Sequence, residues 1–329
     1  MKDSAYTSVL RHEIDGFISL RKARGLRMTC STALRALDNY LVEHGIDDKA
    51  LTHTVVDGWV ADSFSDLNIN MVRNYINNYI QFTKYLHTLG IAAFVPIPPV
   101  YKQGYVPYIF SQQQIDAIFQ AADNLRISAN VHNSNAAVQF PMVLRILYCC
   151  GLRVGEALSL RHQDVDIETG MLRIRNGKGN KERLVPMDES LTDVLEGYCR
   201  FVRTSKPHGS FLFEGSTGEP HENSWARNWF RRILEDAGIE LLDAEAGVRS
   251  QTRNICLNCL RHTFAVTSLR KQVAEGIDNY RSTPLLSIYL GHKKLTGTMK
   301  YLHMTAEIAE DIFVATTEYT KGLFPEVPV

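Results

Sequence analysis

The sequence predicts a mainly α-helical protein with one small β-sheet, divided into two domains by a proline-rich linker. Apolar residues recur at helical spacing through residues 1–95, and two alternating segments flank a glycine-rich turn around residue 178. Between them, residues 94–108 hold four prolines and a glycine. Because proline fixes φ and blocks helix continuation, we expect a helical domain at 1–95, a linker at 96–108 and a larger domain with a C-terminal tail at 109–329.

The N-terminal domain is expected to consist of amphipathic helices. One follows Ser31, a candidate N-cap, and places Leu34, Leu37 and Leu41 on one face. A longer helix is expected over 72–86, where apolar and aromatic residues again recur three and four positions apart. This domain is therefore predicted to bury a core of its own.

The second domain mixes helices with a hairpin. A helix is predicted to open at Ser111, because Gln114 stands three residues later in capping-box spacing. The next helix is expected to end near Gly151, followed by a short one in "LRVGEALSL". The segments "MLRIR" and "ERLVP" alternate around "NGKGNK" and predict a β-hairpin, and "SFLFE" is a candidate further strand. Helices are expected to dominate again from residue 222.

Composition indicates a globular protein that does not cross a membrane. Apolar residues make up 45% and charged residues 22%, and the longest apolar run is short and interrupted by Arg145. No apolar segment of the signal-peptide kind opens the chain. The six cysteines show no regular spacing, which fits a reducing cytoplasm.

Net charge alone argues mildly against nucleic-acid binding, because the 36 basic residues are balanced by 36 acidic ones. Local clusters of basic side chains are the candidate DNA contacts, although such clusters are often only solvated faces. The candidates are Arg21, Lys22, Arg24, Arg27, Arg173, Arg175, Lys181, Arg227 and Arg231.

Several polar residues are spaced so that they could act together. Arg153 and Glu156 are three apart and share a helical face, so the carboxylate can orient the guanidinium; a surface ion pair is the alternative. Lys178 lies between two glycines at the hairpin tip, where the backbone can approach another molecule closely. An ordinary solvent-facing hairpin is the alternative there.

The C-terminal third carries two further polar motifs. Arg261 follows Asn258 by three residues and is expected to share its face, whereas His262 is expected to be a packed structural histidine. His292 follows a glycine in a turn, and Tyr301 is expected to begin a short helical stretch.

Taken together, these segments resemble the tyrosine recombinase (phage integrase) family. The resemblance covers roughly residues 105–305 and rests on "GLRVGEALSL", "RIRNGKGNKERLVPM", "CLRHTFAV" and "LGHKKLTGTMKYLH", in this order and spacing. It implies a helical, SAM-like core-binding domain followed by an α+β catalytic domain. It also implies a site-specific DNA recombinase of the Xer-like or mobile-element type, because little chain precedes the helical domain.

The resemblance also implies roles for individual residues. Tyr301 would attack the scissile phosphate and form a 3′-phosphotyrosyl link, while Arg153 and Arg261 would hold the non-bridging oxygens. Lys178 would protonate the leaving 5′-oxygen. His292 would hydrogen-bond the phosphate.

Two positions complete this implied site. Glu156 would support the arginines. Asn258 stands where most of the family has histidine; its amide can donate a hydrogen bond but cannot carry a proton. Because general acid–base assistance is worth roughly 10²–10⁴-fold, we expect activity to be retained but slowed.

Two other functions stay open at the sequence level. A DNA-binding architectural protein that has lost its chemistry is motivated by Asn258 alone. A type IB topoisomerase shares the chemistry but acts alone, and it fits the helical domain and the Gly-His motif less well.

The expected partners follow from the resemblance. They are double-stranded DNA carrying a specific site, further copies of this chain in a homotetramer, and an accessory DNA-bending or directionality protein. No cofactor or metal is expected: Cys256, Cys259 and His262 have a zinc-like spacing but lack a fourth ligand. A head-to-tail docking of the tail on the next protomer and its packing on its own domain are equally compatible with the sequence.

Overall fold

The computed structural model describes residues 5–26, 30–101, 107–126, 135–175, 182–202, 207, 209–239 and 255–307. The chain divides into two compact units, Met1–Gly104 and Tyr105–Val329. Both units are mainly helical, and a three-stranded sheet lies in the second. The predicted fold class is confirmed.

The described part of the first unit contains four helices around an aromatic core. They are α1 (Arg11–Ala23), α2 (Ser31–Glu43), α3 (His53–Phe64) and α4 (Ile69–Thr88). Trp59 packs on Tyr79 at a ring-centroid distance of 5.0 Å, and both side chains are fully buried. Burial of such large apolar surfaces is the main stabilising contribution in a unit of this size.

The candidate cap at Ser31 is wrong. This serine is already the first residue of α2, Cys30 precedes it, and no side-chain cap bond forms there. Caps are instead made by Thr52 at α3, whose side chain accepts from the Val55 amide, and by Asn68 at α4. The serine lies one position too late to keep the non-helical backbone conformation that an N-cap needs.

The second unit begins with the predicted capping box. Ser111 Oγ accepts from the Gln114 amide at 3.2 Å, and the Gln114 side chain accepts from the Ser111 amide at 3.0 Å. The helical elements that follow are α5 (Gln112–Asp123), α6 (Ala136–Cys149), α7 (Val154–Leu158), a 3₁₀ turn (His162–Asp164), α8 (Glu189–Val202), α9 (Asn223–Asp236), α10 (Asn258–Ala274), α11 (Asn279–Leu290) and α12 (Thr296–Glu307).

The predicted hairpin forms the centre of the sheet. Strand β2 (Met171–Ile174) pairs antiparallel with β3 (Arg183–Pro186), with Leu172 opposite Val185. The third strand is β1 (Val165–Asp166), which pairs with β2. The segment "SFLFE" forms only isolated bridges, at Phe211 and Glu214, because it leaves the extended path too soon to build a ladder.

The helices after residue 255 pack closely on one another. Helix α10 contacts α6, α11 and α12, and eight of its side chains are buried. The segment 270–286 forms the end of α10 and most of α11. Among the described residues, no helix is both long and apolar enough to cross a membrane.

Candidate active site

The centre of the site is Arg261, a buried arginine on α10. Its side chain is 3% exposed, and its guanidinium donates to the carbonyls of Gly151 at 2.6 Å and Leu290 at 2.7 Å. Burial, together with the charge of Arg153, lowers the pKa of Arg261 to about 10. The guanidinium therefore stays protonated at neutral pH and is held rigidly by its carbonyl partners.

Two glycines bring those carbonyls to Arg261. Gly151 follows α6 with φ +56°, and Gly291 follows α11 with φ +66°. At the end of α11 the amides of Gly291 and His292 bond back to the carbonyls of Ile288 and Ser287, each at 3.0 Å, in a Schellman arrangement. The left-handed glycine turns the chain and leaves the Leu290 carbonyl available to Arg261.

Arg153 reaches the same region through Glu156. The buried carboxylate of Glu156 accepts from the Arg153 side chain at 2.7 Å and from the Arg183 side chain at 2.8 Å. Burial by itself would raise the pKa of Glu156, but the hydrogen bond and charge of Arg183, with those of Arg153, lower it to about 2. A single carboxylate thus orients two guanidinium groups and stays ionised.

His292 links Arg261 to α12. Its Nε2 lies 3.0 Å from the Arg261 guanidinium, and its Nδ1 lies 2.7 Å from Thr298 Oγ1. Because a guanidinium can only donate, we assign the imidazole proton to Nδ1, which donates to the Thr298 hydroxyl. Burial and the neighbouring arginines lower the pKa of His292 to about 3, which is consistent with a neutral ring.

The sequence predicted that Tyr301 begins a helix, but the residue lies in the middle of α12. Its side chain is 1% exposed, and its hydroxyl lies 2.7 Å from His262 Nδ1. Burial raises the pKa of Tyr301 to about 12, against the opposing charges of Arg261 and Arg153. The phenol is therefore fully protonated at neutral pH and faces two arginines that could stabilise its anion.

The expectation that His262 is a structural histidine away from the site is wrong, because its side chain lies against Tyr301. Its ring centroid lies 5.6 Å from that of Tyr301, and only 8% of the residue is exposed. Arg183 is a member of the site that was not among the sequence candidates: it donates to Glu156 and to the Tyr289 carbonyl. The sequence spacing did not indicate that Arg183 belongs to the site, because this residue lies on a separate strand.

The remaining candidate catalytic residues divide into two groups. Asn258 is the first residue of α10 and is exposed, so it does not share the buried position of Arg261. Lys178 lies outside the described residues, as do the candidate DNA contacts Arg27 and Lys181.

The other candidate DNA contacts differ in exposure. Arg21 is buried at 8% exposure and donates to Gln81 at 2.6 Å, so it is not part of an exposed basic face. Arg175 is paired with the buried carboxylate of Asp164. The exposed members are Lys22, Arg24, Arg173, Arg227 and Arg231.

No metal centre forms among the described residues, which contain no group of three or more histidine, cysteine or acidic side chains able to hold an ion. Cys256 and Cys259 are free thiols with their sulfur atoms 3.9 Å apart. His262, the third member of the zinc-like spacing, uses its Nδ1 on Tyr301.

Comparisons with known proteins point in one direction. The model of the Phage integrase family matches residues 109–307. The chain is 27% identical over 322 residues to the tyrosine recombinase XerD of Oceanobacillus iheyensis, covering 93% of this chain and 98% of that protein. It is 28% identical over 201 residues to a probable integrase/recombinase protein of Methanocaldococcus jannaschii, covering 61% of this chain but only 56% of that protein.

One solved structure shows the same fold at low sequence identity. A lambda integrase dimer bound to a COC′ core site superimposes with a TM-score of 0.62 at 13% identity, covering 89% of this chain and 94% of that one.

Proposed function

This chain belongs to the phage integrase family and is a site-specific DNA recombinase, and we propose that it breaks and rejoins DNA through Tyr301. In the proposed reaction the Tyr301 oxygen bonds to the scissile phosphorus and the bond from phosphorus to the 5′-oxygen breaks. A 3′-phosphotyrosyl link and a 5′-hydroxyl result, and the reverse attack by a 5′-hydroxyl rejoins the strand. The covalent link preserves the energy of the phosphodiester, so rejoining needs neither ATP nor metal.

The observation that carries this proposal is that the buried Tyr301 faces the buried Arg261 and the half-buried Arg153. Arg261 and Arg153 both lower the pKa of its phenol, and His292 is hydrogen-bonded to Arg261. A phenol is a weak nucleophile at neutral pH, so charge that develops in the transition state has to be met by fixed donors. Arginines held by carbonyls and by Glu156 supply such donors without reorganising.

The same arrangement disfavours the two alternatives. An architectural DNA-binding protein would have no need to bury and orient Tyr301, Arg261 and His292 together. A topoisomerase-like enzyme acts alone, whereas the XerD relative that matches nearly the whole chain is a recombinase by name.

Double-stranded DNA with a specific site is the proposed substrate. The lambda integrase relative is bound to a core site as a dimer, and the exposed basic residues on α1, β2 and α9 of this chain are the proposed phosphate contacts. We further propose a homotetramer on DNA, with an accessory DNA-bending protein setting direction. The tail beyond residue 307, with its proposed docking on a neighbour, lies outside the described residues.

The test is capture of the covalent intermediate. The protein is incubated with genomic DNA from its source and denatured, and the DNA that stays attached to protein is sequenced. We expect adducts at a discrete site for the wild type and none for Tyr301→Phe, which keeps the ring and loses the nucleophile. Binding of the recovered site by Tyr301→Phe, measured by gel shift, is the control for folding. Adducts that persist in Tyr301→Phe would contradict the proposal.

A further inference from the structure

The hydroxyl of Tyr301 has an imidazole as its nearest hydrogen-bonding partner. His262 Nδ1 lies 2.7 Å from it, and the two residues are 8% and 1% exposed. The Arg261 guanidinium also faces this hydroxyl and lowers its pKa, and it can only donate. The phenol oxygen therefore accepts from Arg261, and its proton is directed to His262 Nδ1.

His262 is in the protonation state that this hydrogen bond requires. Burial, followed by the charges of Lys300 and Arg261, lowers the pKa of His262 to about 3. The ring is neutral at neutral pH, and we assign its proton to Nε2, which leaves the lone pair of Nδ1 to accept from the Tyr301 hydroxyl. A bound DNA phosphate brings negative charge among these cations and thereby makes the imidazole more basic when the substrate is present.

Asn258 cannot fill this role. Its amide is not basic enough to take up a proton, and the residue lies exposed at the start of α10. His262 lies one helical turn further along the same helix, on the buried side that reaches α12.

We propose that His262 is the base that accepts the phenolic proton of Tyr301 during DNA cleavage, an inference that rests on the proposed function. As the bond from the Tyr301 oxygen to phosphorus forms, the proton moves to His262 Nδ1. The bond from phosphorus to the 5′-oxygen breaks, and that oxygen takes its proton from a separate general acid, the role that the family resemblance gives to the ammonium group of Lys178. On rejoining, the 5′-hydroxyl gives its proton back to that acid, and His262 returns the other proton to the tyrosine.

The first arm of the test is His262→Asn. The asparagine carbonyl can accept a hydrogen bond from Tyr301 but cannot take its proton, so adduct formation in a single turnover should slow by roughly 10²–10⁴-fold with DNA affinity unchanged. His262→Gln is measured beside it, so that at least one folded variant is available. His162→Asn, the same change at another buried histidine of this unit, should cleave at the wild-type rate.

The second arm separates proton transfer from positioning. A fluorinated tyrosine at position 301 has a more acidic phenol and depends less on a base, so it should recover most of the rate that His262→Asn loses. A wild-type rate in both variants, or a loss that fluorination leaves unchanged, overturns the inference. If the wild type itself forms no adduct at Tyr301, the proposed function fails instead, and the two failures are distinguishable.

Discussion

Glu156 determines the geometry of two of the three arginines in the site. It is a carboxylate with a side chain only 5% exposed, and burying such a charge costs several kcal/mol unless partners compensate. Arg153 and Arg183 supply them from a helix N-terminus and from a strand. The pair Arg153–Glu156 was predictable from three-residue spacing, but Arg183 is 27 residues away and required the sheet to form first.

Replacing Glu156 with glutamine should cost stability in a pH-dependent way. The pKa of Glu156 falls from an ordinary 4.5 to about 2 in the folded protein, so its charge stabilises the fold above pH 4.5. That contribution is lost as the pH falls from 4.5 toward 2. Since one pKa unit corresponds to about 1.4 kcal/mol, Glu156→Gln should lower the free energy of unfolding by about 3 kcal/mol at pH 7.

Urea unfolding at pH 7 and at pH 3 measures this difference. The gap between wild type and variant should be clearly smaller at pH 3. Glu196→Gln removes a carboxylate from the exposed i,i+4 pair with Arg200 and should cost under about 1 kcal/mol at both values. Equal losses for the two variants would contradict the assignment.

His262 shows where residue-level prediction from the sequence fails. Consecutive side chains on a helix point about 100° apart. Because Arg261 was taken to mark the functional face of the helix, His262 was expected to point away from the site. Helix α10 is surrounded by α6, α11 and α12 and is buried over most of its circumference, so both residues reach functional neighbours. The information lay in the packing of α12 on α10, which helical spacing within one segment does not contain.

At the scale of elements, the turn between α11 and α12 constrains two parts of the site. A Cβ on Gly291 would lie 3.0 Å from the Arg183 Nη1 atom and 3.2 Å from its Cζ atom. The same residue has φ +66° and directs the following His292 toward Arg261. Strain at Gly291 would therefore affect the guanidinium of Arg183 directly and that of Arg261 through His292.

Gly291→Ala should destabilise the protein by about 1–2 kcal/mol through its left-handed backbone, and it should also slow adduct formation. Gly276→Ala is the matched control. Gly276 ends α10 in the same Schellman arrangement at φ +77°, but no atom lies within 4 Å of its added Cβ. Both variants should lose similar stability by thermal unfolding, and only Gly291→Ala should lose cleavage rate. Parallel losses of rate would mean that strain alone, and not the contact with Arg183, limits the reaction.

Elements with strong local signals were predicted, and those with weak signals were not. The capping box at Ser111 and the hairpin around the glycine-rich turn are both present, because a cap and a turn are decided by a few adjacent residues. The strand β1 has two residues, too few to show alternation, and it forms only because β2 offers an edge. The bounds of α11 were not predicted either, since the polar residues of the segment 270–286 hide its packing face.

At the scale of the whole molecule, each unit has its own hydrophobic core. The first is centred on Trp59, Tyr79 and Phe82, whereas the second surrounds α6 and includes Phe140 and Phe213. Every described residue of the candidate active site belongs to the second unit. Because cooperative unfolding follows contiguous cores, the two units should melt as separate transitions.

Trp59→Ala tests this separation. Trp59 is fully buried, and truncation of such a side chain costs about 3–5 kcal/mol, so the transition of the first unit should fall well below that of the wild type in calorimetry. The second transition should stay in place, because Trp59 belongs to the core of the first unit. Phe213→Ala, an equally buried truncation in the second unit, should do the reverse.

At a temperature where only the first unit of Trp59→Ala is unfolded, DNA affinity should fall steeply, since the exposed cations Lys22 and Arg24 lose their fixed positions. The site around Tyr301 should remain folded under the same conditions, and a single shared transition in either variant would show that the two cores unfold as one.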